Sequence, residues 1–248
     1  MIREIVSQQW DQRYNNTKVT DWEKIPANDL CNFIKEIQIN LQNIHSVLEI
    51  GCGRGYRMFY WVLNEVGINR DDVKITCIDL SKNAINDAQK NLKKIHRKEL
   101  DENLSKQLDG AFTVEIPDIK CDINFESQDF LNANSSQAKY DLVIDWMCFH
   151  EVFPGSRSDY ISNLSKACNG TLILKVFSLE NSSRAGLSPI TRNIKKYQFD
   201  KKQIVSLFKG FSIIRYTDYE EILEPIPKHE DGIIAAKRAY YLTKCSNS

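Results

Sequence analysis

A glycine-rich turn near residue 50 constrains the fold of this chain more than any other feature. The stretch VLEIGCGRG runs from Val47 to Gly55 and indicates a buried strand that enters a tight turn and then a helix. Glycine at Gly51, Gly53 and Gly55 removes side chains where the backbone must turn sharply and where a ligand can approach the main chain. The free N–H groups of the following helix would face that ligand. The pattern therefore predicts the entry to a nucleotide-type cofactor site in an α/β fold.

A carboxylate ends the next predicted strand, KITCID, at Asp79. A carboxylate in this position can accept hydrogen bonds from both hydroxyls of an adenosine ribose. The dinucleotide fingerprint is G-x-G-x-x-G, whereas Gly51, Gly53 and Gly55 give G-x-G-x-G with Glu49 two residues ahead. The spacing therefore weakens the case for a bound pyrophosphate, although other mononucleotide and dinucleotide folds stay open as alternatives.

The chain alternates between helical and strand patterns on both sides of this turn. Apolar residues at helical spacing predict helices in NDLCNFIKEIQ, YRMFYWVLNEV and SKNAINDAQKNLKKI. Strands are predicted at INFESQDF, YDLVIDW and TLILKVF, with a helix from about 159 to 167 between the last two. Because these strands are almost continuously apolar, we expect a parallel sheet covered on both faces.

The carboxyl-terminal part follows a different pattern. Asp200 and Gln203 predict a capping box at the start of the helix KKQIVSLF. The two strand-like segments that follow, FSIIRYT and AAKRAYYLT, have no helical segment between them. We therefore expect them to form an antiparallel hairpin.

Composition predicts one domain over residues 1–248, since 42% hydrophobic content suffices for a sizeable core. Residues 98–120 are expected to form a polar, peripheral insertion, and residues 178–199 a substrate loop at the carboxyl edge of the sheet. The 33 basic and 33 acidic residues give no net charge, so we expect neither a nucleic acid nor a membrane as partner. No run reaches the roughly 20 apolar residues of a membrane span, and a cytoplasmic location is expected.

The seven cysteines contain no C-x-x-C pair, so neither a disulfide framework nor a metal site is indicated. We expect most of them to be packing residues.

Together these motifs resemble those of class I S-adenosylmethionine-dependent methyltransferases. Glu49 ahead of G-x-G-x-G is similar to motif I of that class, and the terminal hairpin resembles the end of its seven-stranded sheet. VLEIGCGRG, IDLS at 78–81, QDF at 128–130 and DLVIDWMCFHEV resemble the small-molecule branch that includes the thiopurine S-methyltransferases and the tellurite-resistance methyltransferases. QQWDQRYNN and TDWEKIP are similar to that branch's amino-terminal segment, which lies across the cofactor.

The resemblance implies a Rossmann-like, seven-stranded, mostly parallel sheet with an antiparallel carboxyl-terminal hairpin strand and helices on both faces. It also implies that residues 1–45 cover the cofactor and substrate, that S-adenosylmethionine is the methyl donor, and that S-adenosylhomocysteine is the product. The implied positions are Glu49, Gly51, Cys52, Gly53 and Gly55 around the methionine moiety, Asp79 on the ribose, Leu80 beside the adenine, Asp129 and Phe130 closing the adenine pocket, Asp145 and Trp146 bordering the sulfonium, and Trp22 covering the cofactor.

Two of these assignments have open alternatives. Trp22 is nearly as well explained as an aromatic residue that packs the amino-terminal helix. His150 is a candidate general base, but it is equally well explained as an orienting or core histidine, because an ionised acceptor needs no base. The chain also departs from many relatives, with Glu151 and Phe153 in place of a second histidine and a proline, and with CNG in place of a proline-glycine pair before TLILKVF.

The expected reaction is in-line methyl transfer to a small-molecule or natural-product nucleophile, through sulfur, oxygen, a carboxylate or nitrogen. Asp145, Trp146 and His150 lie at the end of the fourth strand, where donor and acceptor would meet. The alternatives are a nucleic-acid or protein methyltransferase and a catalytically silent cofactor-binding or partner-binding module. Nucleic-acid methylation is disfavoured, because Asp145 is followed by Trp-Met-Cys and not by the Pro-Pro-aromatic turn of exocyclic-amine methyltransferases.

Overall fold

The computed structural model describes residues 2–15, 28–108, 116–132, 138–179, 190–191, 194–195, 197–223 and 233–245. The chain forms two units, Met1–Ser135 and Ser136–Ser248. The expectation that they make up a single domain stays a prediction. No helix in the described part of the chain is long and apolar enough to cross a membrane.

The first unit contributes three parallel strands in the order β3, β2, β1. Strand β1 is buried along Val47, Leu48 and Ile50, as its continuous apolar pattern predicts. Helix α4 begins at a cap in which Ser81 Oγ accepts a hydrogen bond from the Ala84 N–H. The elements are α1 (Ile2–Tyr14), α2 (Asp29–Ile37), a 3₁₀ turn (Leu41–Asn43), β1 (Ser46–Ile50), α3 (Tyr56–Asn64), β2 (Lys74–Asp79), α4 (Lys82–His96), α5 (Glu102–Gln107) and β3 (Asp122–Ser127).

The segment 98–120 was expected to be a polar, peripheral insertion, and that assignment stays a prediction. The segment contains the short helix α5, and the side chains of Leu104 and Leu108 are buried. Lys98 forms an ion pair with Asp118. Leu104 lies in α5 and Leu108 directly follows it, and the Leu108 N–H donates to the Leu104 carbonyl at 3.0 Å, so the two buried leucines are one helical turn apart.

The second unit combines parallel and antiparallel strands. Strand β4 pairs parallel with β5, whereas β10 pairs antiparallel with both β5 and β9. Its elements are β4 (Tyr140–Trp146), two 3₁₀ turns (Phe149–Glu151 and Pro154–Ser156), α6 (Arg157–Ala167), β5 (Cys168–Ser178), β6 (Ile190–Thr191), β7 (Ile194–Lys195), β8 (Gln198–Phe199), α7 (Lys201–Leu207), β9 (Phe211–Leu223) and β10 (Ile233–Lys244).

Several local predictions are confirmed in this unit. Strands β9 and β10 form the antiparallel hairpin, and Asp200 and Gln203 form the capping box of α7. A Cβ atom at Gly170 would lie 2.8 Å from the Asp141 carbonyl oxygen, so the close approach of two strands explains the glycine of CNG. The predicted α/β class, with mostly parallel strands and a terminal antiparallel hairpin, is therefore confirmed. Most of the predicted substrate loop, 178–199, lies outside the described residues.

Candidate active site

The glycine turn adopts a backbone that only glycine tolerates without strain. Gly51, Gly53 and Gly55 have φ angles of 72°, 57° and 78°, in the left-handed region where a Cβ atom is disfavoured. A Cβ atom at Gly53 would lie 2.9 Å from Tyr14 Oη, and one at Gly55 would lie 2.9 Å from the Phe59 ring. The turn therefore needs glycine both for its backbone conformation and for its close neighbours.

Asp79 holds this turn against the start of α4. Its Oδ2 accepts a hydrogen bond of 2.8 Å from the Gly53 N–H, and its Oδ1 accepts one of 2.8 Å from the Ser81 N–H. A carboxylate has about four acceptor positions. Asp79 can therefore order the turn and still accept a hydrogen bond from a ligand hydroxyl.

Helix α1 is fastened to the same region by polar contacts. Asp11 Oδ1 accepts hydrogen bonds from Ser81 Oγ at 2.7 Å and from the Asn83 N–H at 3.2 Å. Arg54 donates from Nη2 to the Tyr14 carbonyl at 3.2 Å, and its guanidinium lies 5.2 Å from the Tyr14 ring centroid. These contacts place the end of α1, which carries Trp10, Arg13 and Tyr14, beside the glycine turn.

Glu49 is buried in strand β1, two residues before the turn. The Cys77 thiol lies opposite on β2, with its sulfur 3.7 Å from Glu49 Oε2. Burial raises the pKa of Glu49 to about 7, although the positive charge of Arg57 opposes the shift. Cys52 is also buried in the turn, and burial raises the pKa of its thiol well above the ordinary value. These thiols are packed and protonated.

The remaining predicted adenine-side residues follow strands β2 and β3. The Gln128 N–H donates to the Asp79 carbonyl at 2.9 Å, which joins the QDF segment to the end of β2. Asp129 Oδ1 accepts from the Leu131 N–H at 2.9 Å, and Phe130 is buried. The Leu80 carbonyl accepts from Ser7 Oγ at 3.5 Å. The structure thus brings Asp79, Leu80 and the QDF segment together, whereas Trp22 lies outside the described residues.

In the second unit, Asp145 is fully buried at the end of β4. Its Oδ1 accepts from the N–H groups of Cys148 at 2.9 Å and Phe149 at 3.0 Å, and its Oδ2 accepts from Tyr160 Oη at 2.7 Å. Burial raises the pKa of Asp145 to about 6, against the opposing effect of the Tyr160 hydrogen bond. The geometry gives Asp145 a positioning role in the turn that carries His150, and its predicted place beside a sulfonium stays a prediction.

The backbone between Asp145 and His150 is strained at one residue. Met147 has a φ angle of 76°, and its N–H donates to the Lys175 carbonyl at 3.0 Å. A non-glycine residue in this region costs about 1 to 2 kcal/mol. Such strain is concentrated at functional sites.

Trp146 and His150 are both buried. The His150 ring packs edge-on against Phe177, with centroids 4.7 Å apart, and its Nε2 lies 3.2 Å from Glu151 Oε1. The Lys175 Nζ lies 4.6 Å from the Trp146 ring centroid. With 1% of its surface exposed, His150 fits the core alternative, and its role as a base stays a prediction.

Part of this chain is similar in sequence to known proteins, and its fold is similar to that of solved structures. No family model matches the chain. An uncharacterized methyltransferase of Schizosaccharomyces pombe is 34% identical over 67 residues, which are 26% of this chain and 46% of that protein. The chain therefore spans about half the length of the curated relatives that it matches.

The solved structures match over nearly the whole chain. Magnesium protoporphyrin IX methyltransferase from Synechocystis, with bound S-adenosylhomocysteine, has a TM-score of 0.61 at 16% identity, and the match covers 98% of this chain and 99% of that one. This chain has the class I S-adenosylmethionine-dependent methyltransferase fold. TehB from Haemophilus influenzae has a TM-score of 0.57 at 16% identity, with 96% of this chain and 66% of that one covered.

These similarities confirm the methyltransferase resemblance, and the cofactor pair predicted from the motifs is the one bound in the neighbouring structures. Within the methyltransferase fold, the sequence interpretation missed Asp11, which ties α1 to Ser81, and two buried lysines, Lys175 and Lys237. A signal was available for Lys175, because it is the only charged residue in the apolar segment TLILKVF, whereas Lys237 stands beside Arg238.

Proposed function

We propose that this chain transfers a methyl group from S-adenosylmethionine to a small-molecule nucleophile and releases S-adenosylhomocysteine. The observation that carries the proposal is the glycine turn, with three left-handed glycines and the Gly53 N–H fixed to Asp79 at the end of β2. The three glycines place no side chain of their own between the main chain and an adenosine ligand. The methyltransferase fold of the solved neighbours supports the same assignment.

The residues of the first unit fit such a ligand chemically. We propose that Gly51, Cys52, Gly53 and Gly55 line the methionine moiety and that Asp79 accepts the ribose hydroxyls. Glu49 is buried, with a pKa of about 7, so its carboxylate form is costly near neutral pH. The positively charged amino group of the methionine moiety would favour that form. Leu80, Asp129 and Phe130 complete the proposed site on the adenine side, and Trp22 is proposed as its cover.

We propose that residues of the second unit bind and orient the methyl acceptor. Trp146 is the last residue of β4 and His150 follows it, at the strand end where open α/β sheets bind ligands. Asp145 holds the turn between Trp146 and His150, because it accepts hydrogen bonds from the backbone N–H groups of Cys148 and Phe149.

The transfer itself is a displacement. A lone pair of the acceptor forms the new bond to the methyl carbon as the bond from that carbon to sulfur breaks, and sulfur becomes a neutral thioether. Alignment and exclusion of water lower the barrier. Where the acceptor still carries a proton, His150 is proposed to take it at a ring nitrogen.

The proposal also specifies the class of methyl acceptor, which we take to be a small molecule. The chain carries 33 basic and 33 acidic residues, which does not favour a polyanion such as nucleic acid. The Synechocystis neighbour is a methyltransferase of magnesium protoporphyrin IX, which is a small molecule. The expected cytoplasmic location stays a prediction.

Calorimetric titration followed by a turnover assay tests the proposal. We expect S-adenosylmethionine and S-adenosylhomocysteine to bind, and NAD to bind more weakly or not at all. S-adenosylhomocysteine release is then measured over a panel of thiols, carboxylates, phenols and amines. Tighter binding of NAD would overturn the assignment. Cofactor binding without release for any acceptor would favour the silent binding module.

A further inference from the structure

Helix α1 contacts both of the residues whose N–H groups hold the Asp79 carboxylate. Those donors are the N–H groups of Gly53 and Ser81, each 2.8 Å from an Asp79 oxygen. Asp11 Oδ1 accepts from Ser81 Oγ at 2.7 Å. Tyr14 packs on Gly53, since a Cβ atom on that glycine would lie 2.9 Å from Tyr14 Oη. Asp11 and Tyr14 are three residues apart and therefore share one side of the helix.

Asp11 also completes the cap of helix α4. The first N–H groups of a helix have no acceptor within the helix itself. Ser81 Oγ accepts from the Ala84 N–H at 3.2 Å, and Asp11 Oδ1 accepts from the Asn83 N–H at 3.2 Å. A hydroxyl has one hydrogen, which Ser81 donates to Asp11, so its lone pairs are left for the Ala84 bond. Docking of α1 therefore fixes the orientation of the Ser81 side chain.

Other contacts of α1 reach the same short segment. Ser7 Oγ donates to the Leu80 carbonyl at 3.5 Å, and Asn83 Nδ2 donates to the Asp11 carbonyl at 3.1 Å. The helix thus contacts residues 80, 81 and 83, which directly follow the carboxylate proposed to bind the ribose. If α1 leaves its place, this segment loses every one of these bonds, and the Ser81 N–H is held less firmly towards Asp79.

Resting on the proposed methyltransferase function, we infer that docking of α1 orients Asp79 for the ribose hydroxyls, so that α1 docking and cofactor binding stabilise each other. Asp11 is a positioning residue, because it acts on Asp79 through Ser81. Coupling between two binding events is reciprocal, so a helix that raises cofactor affinity is itself held more firmly when the cofactor is bound. The cofactor thereby regulates how tightly the amino-terminal helix is docked.

The test compares S-adenosylhomocysteine with its 2′,3′-dideoxy analogue, which lacks both ribose hydroxyls, by calorimetric titration of the full chain. We expect the wild type to bind S-adenosylhomocysteine about 10-fold to 100-fold more tightly than the analogue, the range of hydrogen bonds to a charged group. Asp11→Ala should lower this affinity ratio by about 3-fold to 10-fold, the range of one hydrogen bond. A loss of structure alone would weaken both ligands equally and leave the ratio unchanged.

Two further variants make the comparison specific. Gln12→Ala is the matched control, since Gln12 is the exposed neighbour of Asp11 on the same helix, and it should keep the wild-type ratio. In an Asp79→Ala background, Asp11→Ala should produce no further change in the ratio, because the group on which it acts is absent. An unchanged ratio in Asp11→Ala, or an equal fall in Gln12→Ala, would overturn the inference.

Hydrogen–deuterium exchange of the α1 amides measures the coupling in the opposite direction and needs only the wild type. Saturating S-adenosylhomocysteine should slow this exchange, and the dideoxy analogue at equal saturation should slow it less. If Asp11→Ala does not fold, this measurement decides, and equal exchange with the two ligands would overturn the inference.

The two proposals fail in different ways. Binding of S-adenosylhomocysteine with no response of α1 and no change of the ratio in Asp11→Ala would contradict only the coupling. No binding of S-adenosylhomocysteine to the wild type would overturn the methyltransferase proposal, and this inference with it.

Discussion

The Gly53 N–H donates a 2.8 Å hydrogen bond to Asp79 Oδ2. The carboxylate proposed to bind a ribose therefore also closes the turn proposed to hold the methionine moiety. Because both contacts use one side chain, the shape of the turn and the affinity for the cofactor are coupled through Asp79.

Replacement of Asp79 tests this coupling. Asp79→Ala should weaken S-adenosylhomocysteine binding by about 1 to 3 kcal/mol and lower the free energy of unfolding, because the Gly53 and Ser81 N–H groups lose their acceptor. Calorimetry and urea unfolding measure the two effects. Asp118→Ala, an exposed aspartate in the same unit, is the control. Unchanged affinity in Asp79→Ala would remove this residue from the proposed site.

The glycine turn can be tested by a double-mutant cycle. Gly53→Ala should cost about 1 to 2 kcal/mol of stability from its backbone conformation, plus the clash with Tyr14 Oη at 2.9 Å. Tyr14→Phe removes that oxygen, so Gly53→Ala should cost less in the Tyr14→Phe background. Gly155→Ala is the control, because nothing lies within 4 Å of its Cβ position. Equal costs in both backgrounds would show that Tyr14 does not pack on the turn.

Stability should depend on pH through Glu49. Its pKa is about 7 in the folded chain against 4.5 for the ordinary group, so between these values the folded state holds a proton that the unfolded state has lost. Stability from this group is therefore greatest below the lower value and falls as pH rises to about 7, by ~3 kcal/mol.

In the cofactor-free protein, Glu49→Gln should remove the part of the pH dependence of stability that comes from Glu49. Urea unfolding from about pH 4.5 to pH 8 measures it, and the variant should gain stability relative to the wild type as pH rises. A constant difference between the two proteins across this range would contradict the assignment. Glu49→Gln should also weaken cofactor binding above pH 7, where the carboxylate would face the cofactor's amino group.

His150→Ala addresses the proposed base. With thiol or phenol acceptors that are protonated at the assay pH, turnover should fall about 10²-fold to 10⁴-fold while S-adenosylhomocysteine affinity stays unchanged. The loss should be smaller for acceptors that are already ionised. His45→Ala, at an exposed histidine, is the control. Near-normal turnover with protonated acceptors would assign His150 to packing against Phe177 alone.

Local patterns in the sequence were enough to predict the elements and their turns. Apolar periodicity indicated the main strands and helices, the G-x-G-x-G spacing predicted a tight turn that proves to hold three left-handed glycines, and the capping box of Asp200 with Gln203 was visible within four residues. The hairpin of β9 and β10 was also predictable, since no helix intervenes. These features depend on backbone conformation and on neighbours a few residues apart, which the sequence displays directly.

Contacts between distant residues, in contrast, emerge only when the chain is folded. Asp11 meets Ser81 across 70 positions, and Tyr160 donates to Asp145 across 15. The register of β4, β5, β10 and β9 places Trp146 opposite Lys175, and Lys237 opposite both Phe177 and Tyr219. A one-residue shift of register would turn either lysine to the opposite face. Strand register depends on how the apolar pattern of one strand matches that of its neighbour and on the connection between them, so the sequence of one strand alone does not specify it.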